Sequence, residues 1–166
     1  MRIREARVED AAILTAAEKK IAREPGLLIS RPDELTENAF KEKIEQLSKT
    51  GLYIVAELNG EIVGHAFLDP MGLEAISHVF RLSIVVHHGY SNQGIGTALM
   101  AALIDWAKRN PDVGKIELLV RATNKRAIHL YSKFGFLGEG RLRKRLRLPT
   151  GDFIDDVAMA WFPENN

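Results

Sequence analysis

The chain has no cysteine. That excludes a disulfide framework, a cysteine nucleophile and a thiolate metal site, and it suits a reducing compartment. Neither charge sign is in excess: 23 Lys plus Arg against 22 Asp plus Glu leave a net charge of +1. Bulk electrostatics therefore gives no reason to expect a nucleic-acid or membrane partner. No apolar run approaches the ~18 residues of a membrane span. The first residues, MRIREARVEDAAIL, carry charges where a signal peptide needs a continuous apolar stretch. A soluble, cytoplasmic chain is the expectation.

What remains is ordinary globular material: 166 residues, 46% hydrophobic and 27% charged. Such a length points to one domain spanning residues 1–166. Periodicity predicts a short strand at Ile3–Ala6 and a helix over Glu9–Glu24, stopped by Pro25-Gly26. A second helix is expected over Thr36–Lys49. Strands at 52–58 and 61–68 are joined by Asn59-Gly60, a two-residue hairpin turn. A third β run covers 76–86. A helix over Thr97–Arg109, a strand over Lys115–Arg121 and a helix over Asn124–Phe134 follow. Two late strands, Phe136–Leu148 and Phe153–Trp161, close the chain. The order β-α-α-β-β-β-α-β-α-β-β implies an α/β (mixed α+β) domain with helices packed on the faces of one mixed sheet.

The strongest chemical signal is SIVVHHGYSNQGIGTAL, Ser83 to Leu99. A buried strand runs into a loop holding Gly89, Gly94 and Gly96, and a helix begins at once. Helix N-termini expose unpaired N–H groups and the positive end of the dipole, so they favour anions. A plain strand-to-helix turn eased by glycines is the other reading. A dinucleotide fingerprint needs a third glycine where this chain has Leu99, and no Gly-Lys-Ser/Thr triplet of a Walker loop occurs.

This stretch resembles the pyrophosphate-binding motif of the GNAT superfamily of acyl-CoA N-acyltransferases, Arg/Gln-x-x-Gly-x-Gly/Ala. Gly94 and Gly96 match its glycines, and Ser91 stands at its first position. A second segment agrees: NKRAIHLYSKFGF, in which Asn124, Ala127, Leu130, Tyr131, Gly135 and Phe136 match the family's later motif. The resemblance implies a GNAT-like central mixed, mostly antiparallel sheet flanked by helices. It also implies direct transfer of an acetyl group from acetyl-CoA to a primary amine, without a metal. Ser91, Asn92, Gln93, Gly94, Ile95, Gly96 and Thr97 would hold the pyrophosphate. Ile84, Val85 and Val86 would lie along the pantetheine arm, and Asn124 would contact CoA. Tyr131 would be the general acid that protonates the leaving thiolate.

The base stays unassigned. Many family members carry a Glu on the strand before the glycine loop, but the matching stretch here is HVFRLSI, with Arg81 at that place. An arginine stays protonated and cannot accept a proton. Strand alternation puts Arg81 and His78 on opposite faces. Arg81 is instead a candidate for binding an acidic group of the substrate, or for a structural ion pair. Ser30, Arg31 and Glu34, between the first two helices, are further acceptor candidates, and Asp155 or Asp156 could face the cleft. The five histidines lack chelating spacing. The run Arg141–Leu148 predicts four arginines on one strand face with Leu142, Leu146 and Leu148 opposite. The leading expectation is an N-acetyltransferase for a small-molecule amine. A protein N-terminal or lysine acetyltransferase and a non-catalytic CoA-binding module are the alternatives. No nucleic acid or membrane partner is expected, and a homodimer is compatible.

Overall fold

The computed structural model describes residues 1–163; the last three residues of the expected 1–166 domain lie outside them. Eleven regular elements form in the expected order: β1 (Arg2–Glu5), α1 (Ala11–Ala22), α2 (Glu37–Thr50), β2 (Leu52–Leu58), β3 (Glu61–Pro70), β4 (Val79–Val86), α3 (Ile95–Arg109), β5 (Lys115–Arg121), α4 (Lys125–Lys133), β6 (Leu137–Arg147) and β7 (Phe153–Trp161). The strands make one seven-stranded sheet in the order β1-β2-β3-β4-β5-β7-β6. Every neighbouring pair is antiparallel except β4 and β5.

Local chemistry explains the ends of the elements. Asn59 and Gly60 both take positive φ (52° and 83°), which the tight β2–β3 turn requires. Thr36 caps α2, its Oγ1 accepting from the Ala39 N–H at 3.2 Å. Strand alternation then sorts the side chains. Leu14 of α1 and Ile44 and Leu47 of α2 bury Tyr53 and Val55 on one face. Leu99, Met100 and Leu103 of α3 bury Ile54, Ala66, Ile116 and Leu118 on the other, with α4 alongside. Gly64 lets α3 sit close, since a Cβ there would lie 2.9 Å from Ile95 Cγ2 and 3.1 Å from the Val85 carbonyl. No described helix is long and apolar enough to cross a membrane.

Several boundaries depart from expectation. Residues 8–10 and 74–76 wind as short 3₁₀ turns, so α1 starts at Ala11 and β4 at Val79. The third helix starts at Ile95, two residues early, because Gly94 itself serves as the cap. The basic run does not alternate simply. Leu142 pairs with Asp156 and Leu146 with Ile154, which leaves Arg143, Lys144 and Arg145 opposite one residue. Asp155 holds this bulge by accepting from Arg141 Nε and from the Lys144 N–H, both at 2.7 Å. Lys144 adopts φ 53° as a result.

Candidate active site

The ladder between β4 and β5 has only three rungs, Val79–Lys115, Phe80–Ile116 and Arg81–Glu117. Beyond them the two strands part. The direction of β4's backbone groups follows from its flanks. The His87 N–H donates to the Val63 carbonyl and the Met71 N–H to that of Val79, each at 2.9 Å, so odd-numbered residues face β3. Gly114 and Lys115 both donate to His78 O, so even-numbered residues face β5. Ile84 and Val86 therefore turn their N–H groups into the split, where no strand meets them. Val85 turns its own toward β3 and its side chain to the face of α1 and α2.

At the mouth of the split the loop 87–94 delivers α3. Gly94 has φ 77°, and no side chain caps the helix or places an acid in its first turn. The N–H groups that open an α-helix are left free for an anion. A Cβ at Gly94 would meet nothing within 4 Å, whereas one at Gly96 would lie 3.2 Å from Leu130 Cδ2. Gly94 thus serves the left-handed cap and Gly96 the approach of α3 to α4. Ser91, Asn92 and Gln93 are exposed at the loop's crest, Thr97 is exposed on α3, and Ile95 has its side chain in the core.

Helix α4 opens beside α3. The Oδ1 of Asn124 accepts from the Ala127 N–H at 3.1 Å, making Asn124 its cap. Tyr131 is buried, with its ring 5.8 Å from that of Phe136. Burial raises its phenol above the ordinary range. A cavity of about 590 Å³ lies elsewhere, at the C-terminal ends of α3 and α4 beside Trp161. Helix C-termini repel anions, and that cavity is no part of the site.

On the opposite face of the split, α1 and α2 cover only the first strands, and Leu119 of β5 stays 44% exposed. The chain after α1 reaches the far side: a Cβ at Gly26 would lie 2.9 Å from Ile154 Cδ1. Arg81 points to this face. It lies 3.2 Å from Asp69, whose Oδ2 also accepts from Lys43 Nζ at 2.7 Å. The arginine side chain is 58% exposed and the Asp69 side chain 4%. Across the split, Arg121 contacts the fully buried Asp156 through Nη2 at 2.7 Å and Nε at 2.5 Å, with Arg145 3.8 Å away. Each buried carboxylate answers two cations. Glu34 is turned back on its own loop, accepting from the Arg31 N–H at 2.8 Å. Ser30 is half-buried and Arg31 exposed.

A third cluster is absent from the sequence reading. His65 Nδ1 is 2.9 Å from His87 Nε2, and His65 Nε2 is 2.8 Å from Glu18 Oε1. His87 Nδ1 donates to the Ile62 carbonyl at 3.0 Å. The signal was His65 inside the apolar strand IVGHAFL, where a buried imidazole needs partners. Burial, and then the neighbouring His65, lower the His87 pKa to about 4. A histidine held neutral in the fold but free to charge when unfolded stabilises fully above about pH 6.5 and loses that contribution as pH falls toward 4. We expect the melting temperature to fall over that interval, and the fall to be shallower in His87→Gln.

The split thus has free N–H groups for an anion at the start of α3, and the half-exposed Arg81 side chain lies on its other face. A mixed sheet parted at its one parallel pair, with a glycine-capped helix at the opening, is the frame of an acyl-CoA-type transferase fold. The chain belongs to the acetyltransferase (GNAT) family, whose model matches residues 16–136. It is 36% identical over 107 residues to the L-amino acid N-acetyltransferase AaaT of Escherichia coli K12, covering 64% of this chain and 65% of that protein. It is 32% identical over 111 residues to the spermidine N(1)-acetyltransferase of the same strain, covering 65% of this chain and 56% of that one. The match thus spans less than two thirds of either relative. Among solved structures, the GNAT acetyltransferase of Streptococcus pneumoniae superposes with a TM-score of 0.89 at 29% identity, over 97% of this chain and 98% of that one.

Proposed function

We propose that residues 1–166 form one catalytic domain, an acetyl-CoA-dependent N-acetyltransferase for a small primary amine that carries an acid group. The parting of β4 from β5 after Arg81 and Glu117 carries the reading, because it frees the Ile84 and Val86 N–H groups for a second chain-like partner. Acetyl-CoA supplies an activated acetyl thioester. The glycine loop and the first turn of α3, Ser91 to Thr97, bind its pyrophosphate. Ile84 and Val86 orient the pantetheine arm and polarise the thioester carbonyl. Asn124 keeps its amide nitrogen for the same partner while its oxygen caps α4. Tyr131 gives its phenolic proton to the departing thiolate.

The acid group on the acceptor follows from charge. Arg81 and Lys43 share Asp69, and Arg121 and Arg145 share Asp156. Each set leaves one positive charge unanswered, which repels a polyamine and attracts a carboxylate. The E. coli amino-acid relative is consistent with that class.

Calorimetric titration with acetyl-CoA followed by free-CoA release across a panel of amines tests the reading. Saturable binding and release with amino acids are expected. Binding without release would make the protein a CoA-binding module, and release only with peptides would make it a protein acetyltransferase. In Arg81→Gln, one charge-assisted contact of about 1.5–3 kcal/mol is lost. KM for a carboxylated amine should then rise roughly 10- to 100-fold while an uncharged amine is little affected. Equal effects on both would remove Arg81 from the acceptor site.

A further inference from the structure

Glu18, His65 and His87 come from three distant segments and meet under α1, on the face from which the acceptor would approach. His65 is 1% exposed, and a purely apolar core would have no use for an imidazole there. The Ile62 carbonyl can only accept, so His87 Nδ1 carries its hydrogen. His87 Nε2 in the neutral ring is then an acceptor, and His65 Nδ1 donates to it. His65 Nε2 and Glu18 Oε1, 2.8 Å apart, are then both acceptors, and their contact becomes a hydrogen bond once one proton is placed between them. The chain of contacts is built to take up a proton at its Glu18 end.

That end lies close to the proposed chemistry. His65 is the cross-strand partner of Val85, one strand removed from the free Ile84 and Val86 N–H groups. The chain leaving α1 crosses to Ile154 at Gly26, so the segment just after α1 passes over the split. The Glu18 side chain is 15% exposed, and its Oε2 makes no hydrogen bond among the described residues. Three other carboxylates on this face are occupied by cations: Asp69 by Lys43 and Arg81, Asp156 by Arg121, Glu117 by Lys115. Glu18 instead faces a histidine. The remaining groups around His65 are Tyr53, stacked at 6.0 Å, and Phe40, edge-on at 6.3 Å. Burial and then the Glu18 charge hold the Tyr53 phenol well above its usual range, so it stays neutral.

Building on the acetyltransferase reading, we propose that Glu18 accepts the proton of the acceptor's ammonium group and that His65, oriented by His87, holds it. An N–H bond of the ammonium breaks, the electron pair stays on nitrogen, and the proton passes through Glu18 Oε2 to the Glu18–His65 contact. The freed pair forms the N–C bond as the C–S bond breaks. The nitrogen loses its second proton to solvent, from which Tyr131 regains the one it gave to the thiolate, and the first proton leaves Glu18 for water.

Glu18→Gln keeps the size and polarity of the side chain and removes only the acceptor of the proton. At pH 7 its kcat should fall about 100-fold, the lower end of general-base contributions, with acetyl-CoA affinity unchanged. The deficit should shrink as pH rises toward the pKa of the acceptor, and should be small at pH 7 for a weakly basic amine that arrives neutral. A structural role would produce neither change, and the two amines are compared within one variant, so altered folding cancels. A deficit equal for both amines, or a rate within about threefold of the parent, overturns the relay and leaves the acetyltransferase reading standing. A parent protein that releases no CoA with any amine overturns both.

Discussion

Asp156→Ala should cost about 3–5 kcal/mol of stability, the usual penalty for removing one partner of a buried ion pair. Asp156 is fully buried, and the Arg121 side chain that it binds is 11% exposed. Alanine would leave the guanidinium in the same enclosed place with no counter-charge. For a chain of this length, each kcal/mol lowers the melting temperature by roughly 2–4 °C. A drop of about 6–20 °C in a thermal melt is therefore expected, and a loss below about 1 kcal/mol would contradict the pairing. The double variant Arg121→Met, Asp156→Leu should recover most of the loss, because a buried pair gives little net stability over apolar residues of similar volume. The pair also bears on the site. Arg121 ends β5 and Asn124 caps α4 three residues later, so the single variant should weaken acetyl-CoA binding as well as folding.

Much of this frame was legible because local chemistry and tertiary demand agree. The strand Lys115–Arg121 alternates, and the helix after Asn124 begins with a residue that caps it. The Asn59-Gly60 turn admits little but a hairpin. The bounds that shifted did so where a short-range competitor won. Residues 74–76 took a 3₁₀ turn in place of extended chain, and Gly94 capped α3 before the periodicity of that helix became visible. The bulge at Arg143–Arg145 was hidden for another reason: its cause is Asp155, on the opposing strand. Charge partners were the least legible feature. Nothing in HVFRLSI indicates that Arg81 meets Asp69, or that Asp69 also meets Lys43, 26 residues away along the chain. The Glu18–His65–His87 contacts span 47 and 22 residues and form no motif, so only the sheet register brings them together.

Tyr131→Phe should separate catalysis from binding. The phenol is buried, and burial disfavours the phenolate, so its pKa is raised. A raised pKa keeps the proton in place to higher pH. The acid form therefore persists across the neutral and mildly alkaline range, and Tyr131 should set no falling limb in the pH–rate profile below about pH 10, the ordinary phenol value. Phenylalanine fills the same space beside Phe136 but has no proton to give, and no hydrogen bond of the Tyr131 hydroxyl is broken among the described residues. Stability should change by less than about 1 kcal/mol, and the dissociation constant for acetyl-CoA by less than about twofold. The rate of CoA release should fall by about 10²–10⁴, the span of a positioned general acid. Loss of binding in step with rate would make Tyr131 a wall of the cosubstrate cleft. An unchanged rate would mean that water protonates the thiolate, and the acid would have to be sought among the solvent-facing groups at the mouth of the split.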